Sequence, residues 1–315
     1  MDVVVLDGGR VSCGRLPWAV AERFPDLRWY DETPPELTAE RIGGAEAVFV
    51  DRVRLDEAVF ARCPNLKYVG IFATGCDKID LSAASQRGIT VCNVPGYSAH
   101  AVAQHTAALL LAVTNRIPEF SDGVKAGKWD SPTAKLVTGT SMMELSGKTV
   151  GIYGCGSIGT AFGEICRAMG MKVLGYRRNP SGEEPFPMVE RDRLLEESDV
   201  LSLHCPLTSE TKGMVDQGFL SRMKWGAILL NTARGGLLDE AAVAEALDTG
   251  QLSWAAVDVL SVEPPERANP LLNHPKCLVT PHVAWCPKET RQRLLQIAGE
   301  NFFCFLEGDP QNQVN

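Results

Sequence analysis

Thr149-Val-Gly-Ile-Tyr-Gly-Cys-Gly-Ser-Ile-Gly159 is the stretch on which the reading of this chain turns. A run of strand character, Thr149 to Tyr153, leads directly into Gly154, Gly156 and Gly159, and a helix-compatible segment continues to about Met169. In a G-x-G-x-x-G turn the first glycine permits the tight bend and the second lets backbone approach a pyrophosphate. The third allows helix and strand to pack closely while the helix N-terminus faces the anion. In isolation the pattern is weak and is equally the mark of a structural glycine turn. With strand, turn, helix and a second strand from Lys172 to Tyr176 in order, it points to dinucleotide binding.

That second strand ends where an NAD-binding unit usually presents Asp or Glu to the adenosine ribose. Arg177 and Arg178 stand there instead. A carboxylate would repel a 2′-phosphate, whereas guanidinium groups bind it bidentately or stack on adenine. NADP(H) is therefore the expected cofactor. NAD is the alternative, if these arginines only solvate a strand end while Glu183 or Glu184 reaches back.

Working outward, short apolar runs alternate with helix-compatible segments on both sides of the glycine turn. Val3 to Leu6, Ala47 to Val50, Tyr68 to Phe72 and Ile89 to Cys92 read as strands before it. Val200 to Leu203, Ala227 to Asn231, Trp254 to Asp258 and Cys277 to Val279 read as strands after it. Between the two series Ser98 caps a helix from Ala99 to about Asn115, whose Val102, Leu109, Leu110 and Val113 recur at helical spacing. Residues 118 to 147, richer in Gly, Ser, Thr and Lys, read as an extended connection. Lys288 to Leu306 places Leu294, Leu295, Ala298, Phe302 and Phe305 on one helical face and is expected to return to the first domain. The expected fold class is α/β, with two doubly wound parallel-sheet domains sharing a cleft. Disorder is not expected anywhere except in the last few residues.

Composition narrows the partners. The chain has 315 residues, a net charge of −8 and no basic stripe, which argues against nucleic acid. The ten cysteines are scattered, with no C-x-x-C pair, so neither a zinc site nor a disulfide scaffold is expected and a reducing cytoplasm fits best. The acidic N-terminus reads as a first strand rather than an export signal. The longest apolar run, Ala107 to Val113, is too short to cross a membrane.

Three residues carry the chemistry. Arg234 lies in Asn-Thr-Ala-Arg-Gly-Gly (231–236), Glu263 in Val-Glu-Pro-Pro (262–265) and His282 in Thr-Pro-His (280–282), each at a strand-to-loop boundary. Together they can hold a carboxylate, tune an imidazole and exchange a proton with a carbonyl or alcohol oxygen. Singly each has a plain structural reading, as a surface arginine, a loop acid beside prolines and a satisfied core histidine. In combination those readings lose ground. His100 and His105 read as helix packing or polar contacts. Cys76 reads as a small apolar filler, since hydride transfer needs no thiolate.

These residues resemble the D-isomer-specific 2-hydroxyacid dehydrogenase family, in particular its glycerate dehydrogenase and hydroxypyruvate or glyoxylate reductase members. The resemblance runs through Ala73-Thr-Gly-Cys-Asp77, Val91 to Ser98, Val102-Ala-Gln-His-Thr106, the glycine turn, His204-Cys-Pro-Leu207, Asn231 to Gly236, Asp258 to Pro264 and Thr280 to Trp285. It implies a Rossmann domain inserted in a flavodoxin-like substrate domain: residues 1–98 and 288–315 on one side, 99–287 on the other, usually in a homodimer. It also implies that Arg234 grips the substrate carboxylate with help from main-chain N–H groups around Thr74 and Gly75. His282 would act as acid and base, with Glu263 fixing the ring and favouring its charged form. Trp285 matches a position that closes the substrate pocket, core packing being the competing role. Cofactor contacts are implied for Thr106, Gly154, Gly156, Ser157, Ile158, Gly159, Arg177, Arg178, Cys205, Pro206, Thr211, Thr232, Ala233 and Asp258, with Thr106 near the phosphates and Asp258 near the nicotinamide carboxamide.

The leading expectation is an NADPH-preferring reductase of small 2-keto acids of the hydroxypyruvate or glyoxylate class. An NAD-dependent enzyme such as a phosphoglycerate dehydrogenase, and a non-enzymatic dinucleotide-sensing corepressor-like protein, remain as alternatives. From Trp129 to Ser141 the chain lacks the additional aromatics usual in the hydroxypyruvate subgroup.

Overall fold

The structure, a computed structural model, describes residues 1–12, 16–135, 141–180 and 182–315. The chain divides into two compact units, Met1–Ser98 with Trp285–Asn315, and Ala99–Ala284. The second junction falls ahead of residue 288, where the sequence places the return. Trp285 already belongs to the first unit: its indole is buried and carries the Arg10 guanidinium 5.3 Å from the ring centroid.

The first unit is built on a five-stranded sheet of β1 (Val3–Val5), β2 (Arg28–Trp29), β3 (Ala47–Val50), β4 (Tyr68–Ile71) and β5 (Thr90–Cys92). Its order is β2-β1-β3-β4-β5, all pairs parallel, which is the flavodoxin-like arrangement. β1, β3 and β4 are buried along their whole length, and so their sequences are unbroken apolar runs rather than alternating ones. β2 escapes the sequence reading because it is two half-buried residues pairing only with β1 at the sheet edge.

At the other edge the chain terminus is tied to the sheet. Val314 N–H donates to the Val91 carbonyl (2.9 Å), and the Asn315 side chain accepts from Val91 N–H (2.9 Å) and donates to the Ile89 carbonyl (2.7 Å). These bonds occupy backbone groups that an edge strand would otherwise expose. The helix Lys288–Leu306 covers this sheet. Phe302, fully buried, sits with its ring centroid 5.0 Å from Tyr68 and 5.4 Å from Phe49, and the Trp18 indole N–H donates to the Leu295 carbonyl at 2.9 Å.

The second unit holds β6 (Thr149–Tyr153), β7 (Lys172–Tyr176), β8 (Val200–Leu203), β9 (Ala227–Asn231), β10 (Leu252–Val257) and β11 (Cys277–Val279), in the order β11-β10-β9-β8-β6-β7. All pairs are parallel. A single parallel bridge, Gly175 to Met188, extends the sheet beyond β7. The strand order reverses between β6 and β8, and the C-terminal ends of strands at such a switch point form the crevice where doubly wound sheets collect ligands. β10 starts at Leu252, earlier than the sequence reading, with a register irregularity between Leu252 and Trp254.

One segment read as extended is partly helical. Ile117–Lys125 forms a helix with Pro118 in its first turn, where the missing N–H costs nothing. Arg116, at φ 52°, starts it; its guanidinium pairs with Glu119 and lies 4.6 Å from the Trp254 ring centroid. Gly123, a loop signal in sequence, is a buried packing position of that helix. Residues 136–140 of the same reading lie outside the described ones. Among the described residues, no helix is long and apolar enough to cross a membrane.

Candidate functional site

The glycine turn in the second unit divides its labour as its chemistry requires. Gly154 has φ 107°, and a Cβ there would lie 2.7 Å from the Cys205 nitrogen and the His204 carbonyl carbon, so the turn passes directly against the end of β8. A Cβ on Gly159 would lie 2.2 Å from the Gly154 carbonyl oxygen. Gly156 differs: a Cβ there would meet nothing within 4 Å. The helix Ser157–Ala168 begins at this point with no side chain capping it, so the N–H groups of Ser157 and Ile158 open its first turn without a competitor. Clear space over Gly156 and an uncapped, electropositive helix end fit a dinucleotide diphosphate.

Beyond β7 a groove of about 550 Å³ is lined by Tyr176, Arg177, Arg178, Met188, Glu190 and Arg193 among others. Arg177 pairs with Glu184 at 3.3 Å, and Glu184 also accepts from Gly182 N–H; Arg178 pairs with Glu210 at 2.5 Å. The loop after β8 is held by Thr211, whose hydroxyl donates to the Pro206 carbonyl (2.7 Å) and accepts from Thr208 N–H (2.8 Å). Burial pushes the Cys205 thiol up to about 11, so it is no nucleophile near neutrality. His204 is driven down to about 3 by burial, and its Nε2 shares a hydrogen bond with the Ser202 hydroxyl (2.9 Å).

Arg234, Glu263 and His282 come from three neighbouring strand ends, β9, β10 and β11. Asn231, the last residue of β9, shapes the first loop by donating through its side chain to the Arg234 carbonyl (2.9 Å) and accepting from Ala233 N–H (3.0 Å). The Arg234 guanidinium donates to the Ala233 carbonyl (2.8 Å). A Cβ on Gly235 would lie 1.9 Å from the Leu260 carbonyl carbon, which is how close the Arg234 turn packs to the loop carrying Glu263. Glu263 uses both oxygens, accepting from Leu260 N–H (3.1 Å) and meeting His282 Nδ1 at 2.7 Å.

His282 itself has φ 53°, a left-handed backbone that costs a non-glycine residue about 1–2 kcal/mol. Asp258 is what holds it. Its carbonyl accepts from His282 N–H (2.8 Å), and its carboxylate accepts from Val283 N–H (3.0 Å), Ala284 N–H (2.9 Å) and the Thr280 hydroxyl (2.5 Å). Burial alone would raise the Asp258 carboxyl, but the bonds from His105, Thr280, Val283 and Ala284 outweigh it and hold the group below its usual value.

The side chains of several expected site residues are engaged by neighbouring protein groups. The Asp258 side chain is 1% exposed, with its carboxylate turned onto the 280–284 turn. Thr106 is wholly buried and spends its hydroxyl on the Val102 carbonyl (2.7 Å) and on Thr232 (2.8 Å), thereby bracing the Thr232-Ala233-Arg234 loop from the helix Ala99–Asn115. In the first unit, Thr74 lies in the loop after β4, its hydroxyl on the Val94 carbonyl (2.8 Å) and its own carbonyl accepting from the Asn93 side chain (2.7 Å), with Gly75 next along. The sequence reading passes over Asn231 and Thr280, which sit in motifs that flag them only by adjacency. For His105 the structure selects the polar contact of the two readings offered, its Nε2 lying 3.1 Å from the Thr280 hydroxyl.

Comparison with known proteins agrees with this architecture. Residues 107–284 match the family model described as D-isomer specific 2-hydroxyacid dehydrogenase, NAD binding domain. The chain is 41% identical over 321 residues to a hydroxypyruvate reductase of Blautia hydrogenotrophica, covering 100% of both chains. It is 37% identical over 298 residues to a glycerate dehydrogenase of Methylorubrum extorquens, covering 92% of this chain and 93% of that one. Among solved structures, an acyclic imino acid reductase in complex with NADPH and D-Arg superposes with a TM-score of 0.88 at 28% identity, covering 100% of each chain. The chain belongs to the D-isomer specific 2-hydroxyacid dehydrogenases. It is an oxidoreductase of the CH–OH group of 2-hydroxy acids and works with a nicotinamide dinucleotide.

The three glycines should separate on substitution. Gly156→Ala, whose Cβ meets open space, should fold with parental stability but bind the dinucleotide at least about tenfold more weakly, as a methyl intrudes on a charge-assisted approach. Gly159→Ala should instead lose about 1–3 kcal/mol of stability in urea unfolding, because its Cβ collides with backbone. Fluorescence titration beside denaturation curves checks both. Undiminished binding by Gly156→Ala would separate this turn from the cofactor.

Proposed function

We propose that this protein reduces small 2-keto acids of the hydroxypyruvate and glyoxylate class to the D-hydroxy acid, with NADPH as the preferred reductant and His282 as acid and base. The observation that carries the reading is the 2.7 Å contact between His282 Nδ1 and Glu263. It supports Nε2 as the working nitrogen: with Nδ1 engaged by Glu263, Nε2 is left to deliver a proton to the carbonyl oxygen and recover it in the reverse direction. The dinucleotide supplies the hydride that completes the reduction. Arg234 pairs bidentately with the substrate carboxylate, which lysine cannot reproduce. The names of the relatives from Blautia and Methylorubrum support this substrate class.

NADPH preference rests on the groove beyond β7. Arg177 and Arg178 border it just past the second strand of the nucleotide fold, where an NAD-selecting acid is usual, and Glu184 pairs with Arg177 and accepts from Gly182 N–H, which supports the reading. A homodimer is part of the same reading. Ile117, Val124, Trp129 and Met142 are large apolar side chains left exposed within one segment of the second unit, Trp129 at 64%.

Three measurements test these statements. His282→Ala should lose on the order of 10²–10⁴ in kcat for glyoxylate and hydroxypyruvate while retaining dinucleotide affinity, and Arg234→Lys should lose about 2–5 kcal/mol in kcat/KM. Near-normal turnover in either variant removes that residue from its role. For the cofactor, the parent should show higher kcat/KM with NADPH than with NADH, and Arg177→Asp should lower that preference at least about tenfold, chiefly through KM. Equal or better efficiency of the parent with NADH would end the NADPH reading. For assembly, light scattering should give twice the 34.2 kDa chain mass, and the double variant Val124→Glu/Trp129→Glu should give the single mass. A monomeric parent would overturn the dimer.

A further inference from the structure

His105 has no part in the proposed chemistry, yet it completes the cluster beneath His282. It stands on the helix Ala99–Asn115 with its side chain 24% exposed. Its Nε2 lies 3.1 Å from the Thr280 hydroxyl and 3.5 Å from Asp258 Oδ1. The protons can be assigned by counting. The Thr280 hydroxyl has one hydrogen, and the 2.5 Å contact with the Asp258 carboxylate takes it. The threonine oxygen can then only accept from His105, so Nε2 carries a hydrogen directed at Thr280 and Asp258 together. His105 is thus the side-chain donor from outside the 280–284 turn that completes the shell of the Asp258 carboxylate, whose remaining donors are Thr280, Val283 and Ala284.

The same turn holds His282 in a left-handed backbone that the surrounding bonds must maintain. Loosening the Asp258 carboxylate relaxes the Val283 and Ala284 N–H bonds and lets His282 fall back toward an unstrained φ, moving the imidazole relative to Glu263. The neighbouring Thr106 braces the Arg234 loop through Thr232, so two consecutive residues of one helix tie down two different functional loops.

We propose that His105 is a positioning residue for the redox reaction, acting through Thr280 and Asp258 to hold His282 in its productive backbone conformation. The proposal rests on the reading of His282 as acid and base. It predicts that His105→Leu, which removes the donor, lowers kcat for glyoxylate about 10–100-fold with KM for glyoxylate and NADPH little changed, since a misplaced acid slows the chemical step without weakening binding. His105→Gln, which restores an N–H donor, should recover most of the loss. Thr280→Val, which removes the intermediate hydroxyl with nearly the same shape, should reproduce the loss should the leucine variant fold poorly. In a His282→Ala background, His105→Leu should have no additional effect on kcat, because both act through one group.

The outcomes separate cleanly. Parental turnover in His282→Ala alone overturns the acid and base reading, and this proposal with it. A large loss in His282→Ala with parental kcat in both His105→Leu and Thr280→Val overturns only the positioning role. So does a glutamine variant no better than leucine, or a double variant in which the two losses multiply.

Discussion

One buried carboxylate governs the working end of the second unit. Asp258 follows β10 directly, between the strand that delivers Arg234 and the strand that delivers His282, and its N–H donates to the Asn231 carbonyl at 2.9 Å. From there its carbonyl and both carboxylate oxygens gather three consecutive N–H groups, those of His282, Val283 and Ala284. A carboxylate taken out of water is costly unless its lone pairs are satisfied. Here they are, and the site is held by that requirement: the left-handed His282 persists because Asp258 needs those donors in that arrangement.

Strand order supplies the rest. In a parallel sheet every strand ends on the same side, so the loops after β9, β10 and β11 fall next to one another without any long connection. Arginine, glutamate and histidine are far apart in sequence, yet each is only a few residues past its own strand. Gly235, pressed against the Leu260 backbone, removes the last steric obstacle between the first two loops. At the switch point the glycine turn is packed as closely, with Gly154 and Gly159 pressed against backbone while Gly156 faces open space.

A carboxylate of the first unit, also bonded by consecutive N–H groups, shifts the other way. Asp7, after β1, accepts from the N–H groups of Asp51, Arg52 and Val53 at 2.7, 2.5 and 2.9 Å. Burial nevertheless raises its carboxyl above the usual value, the opposite direction to Asp258. The contrast follows from what surrounds each group: in the Asp7 shell burial prevails over three backbone donors, whereas side-chain donors from Thr280 and His105 are added around Asp258.

By itself the sequence determined the α/β class, most strands and the motifs in which Arg234, Glu263 and His282 stand. Buried parallel strands must be apolar along their length, and a diphosphate turn must have glycines at fixed spacing. It could not reveal β2, whose two residues carry too little pattern, nor the helix Ile117–Lys125, where Gly123 reads as a loop until its burial is seen. Nor could it show that the terminus is tied to the sheet, since Asn315 matters only through the β5 edge it happens to meet. Tertiary structure alone decided that Asp258 faces the 280–284 turn, that Thr106 braces Thr232, and that His105 lies beside Thr280. Each of these is a hydrogen bond between residues distant in sequence, and a linear pattern records which groups a residue carries but not which partners the fold will bring within 3 Å of them.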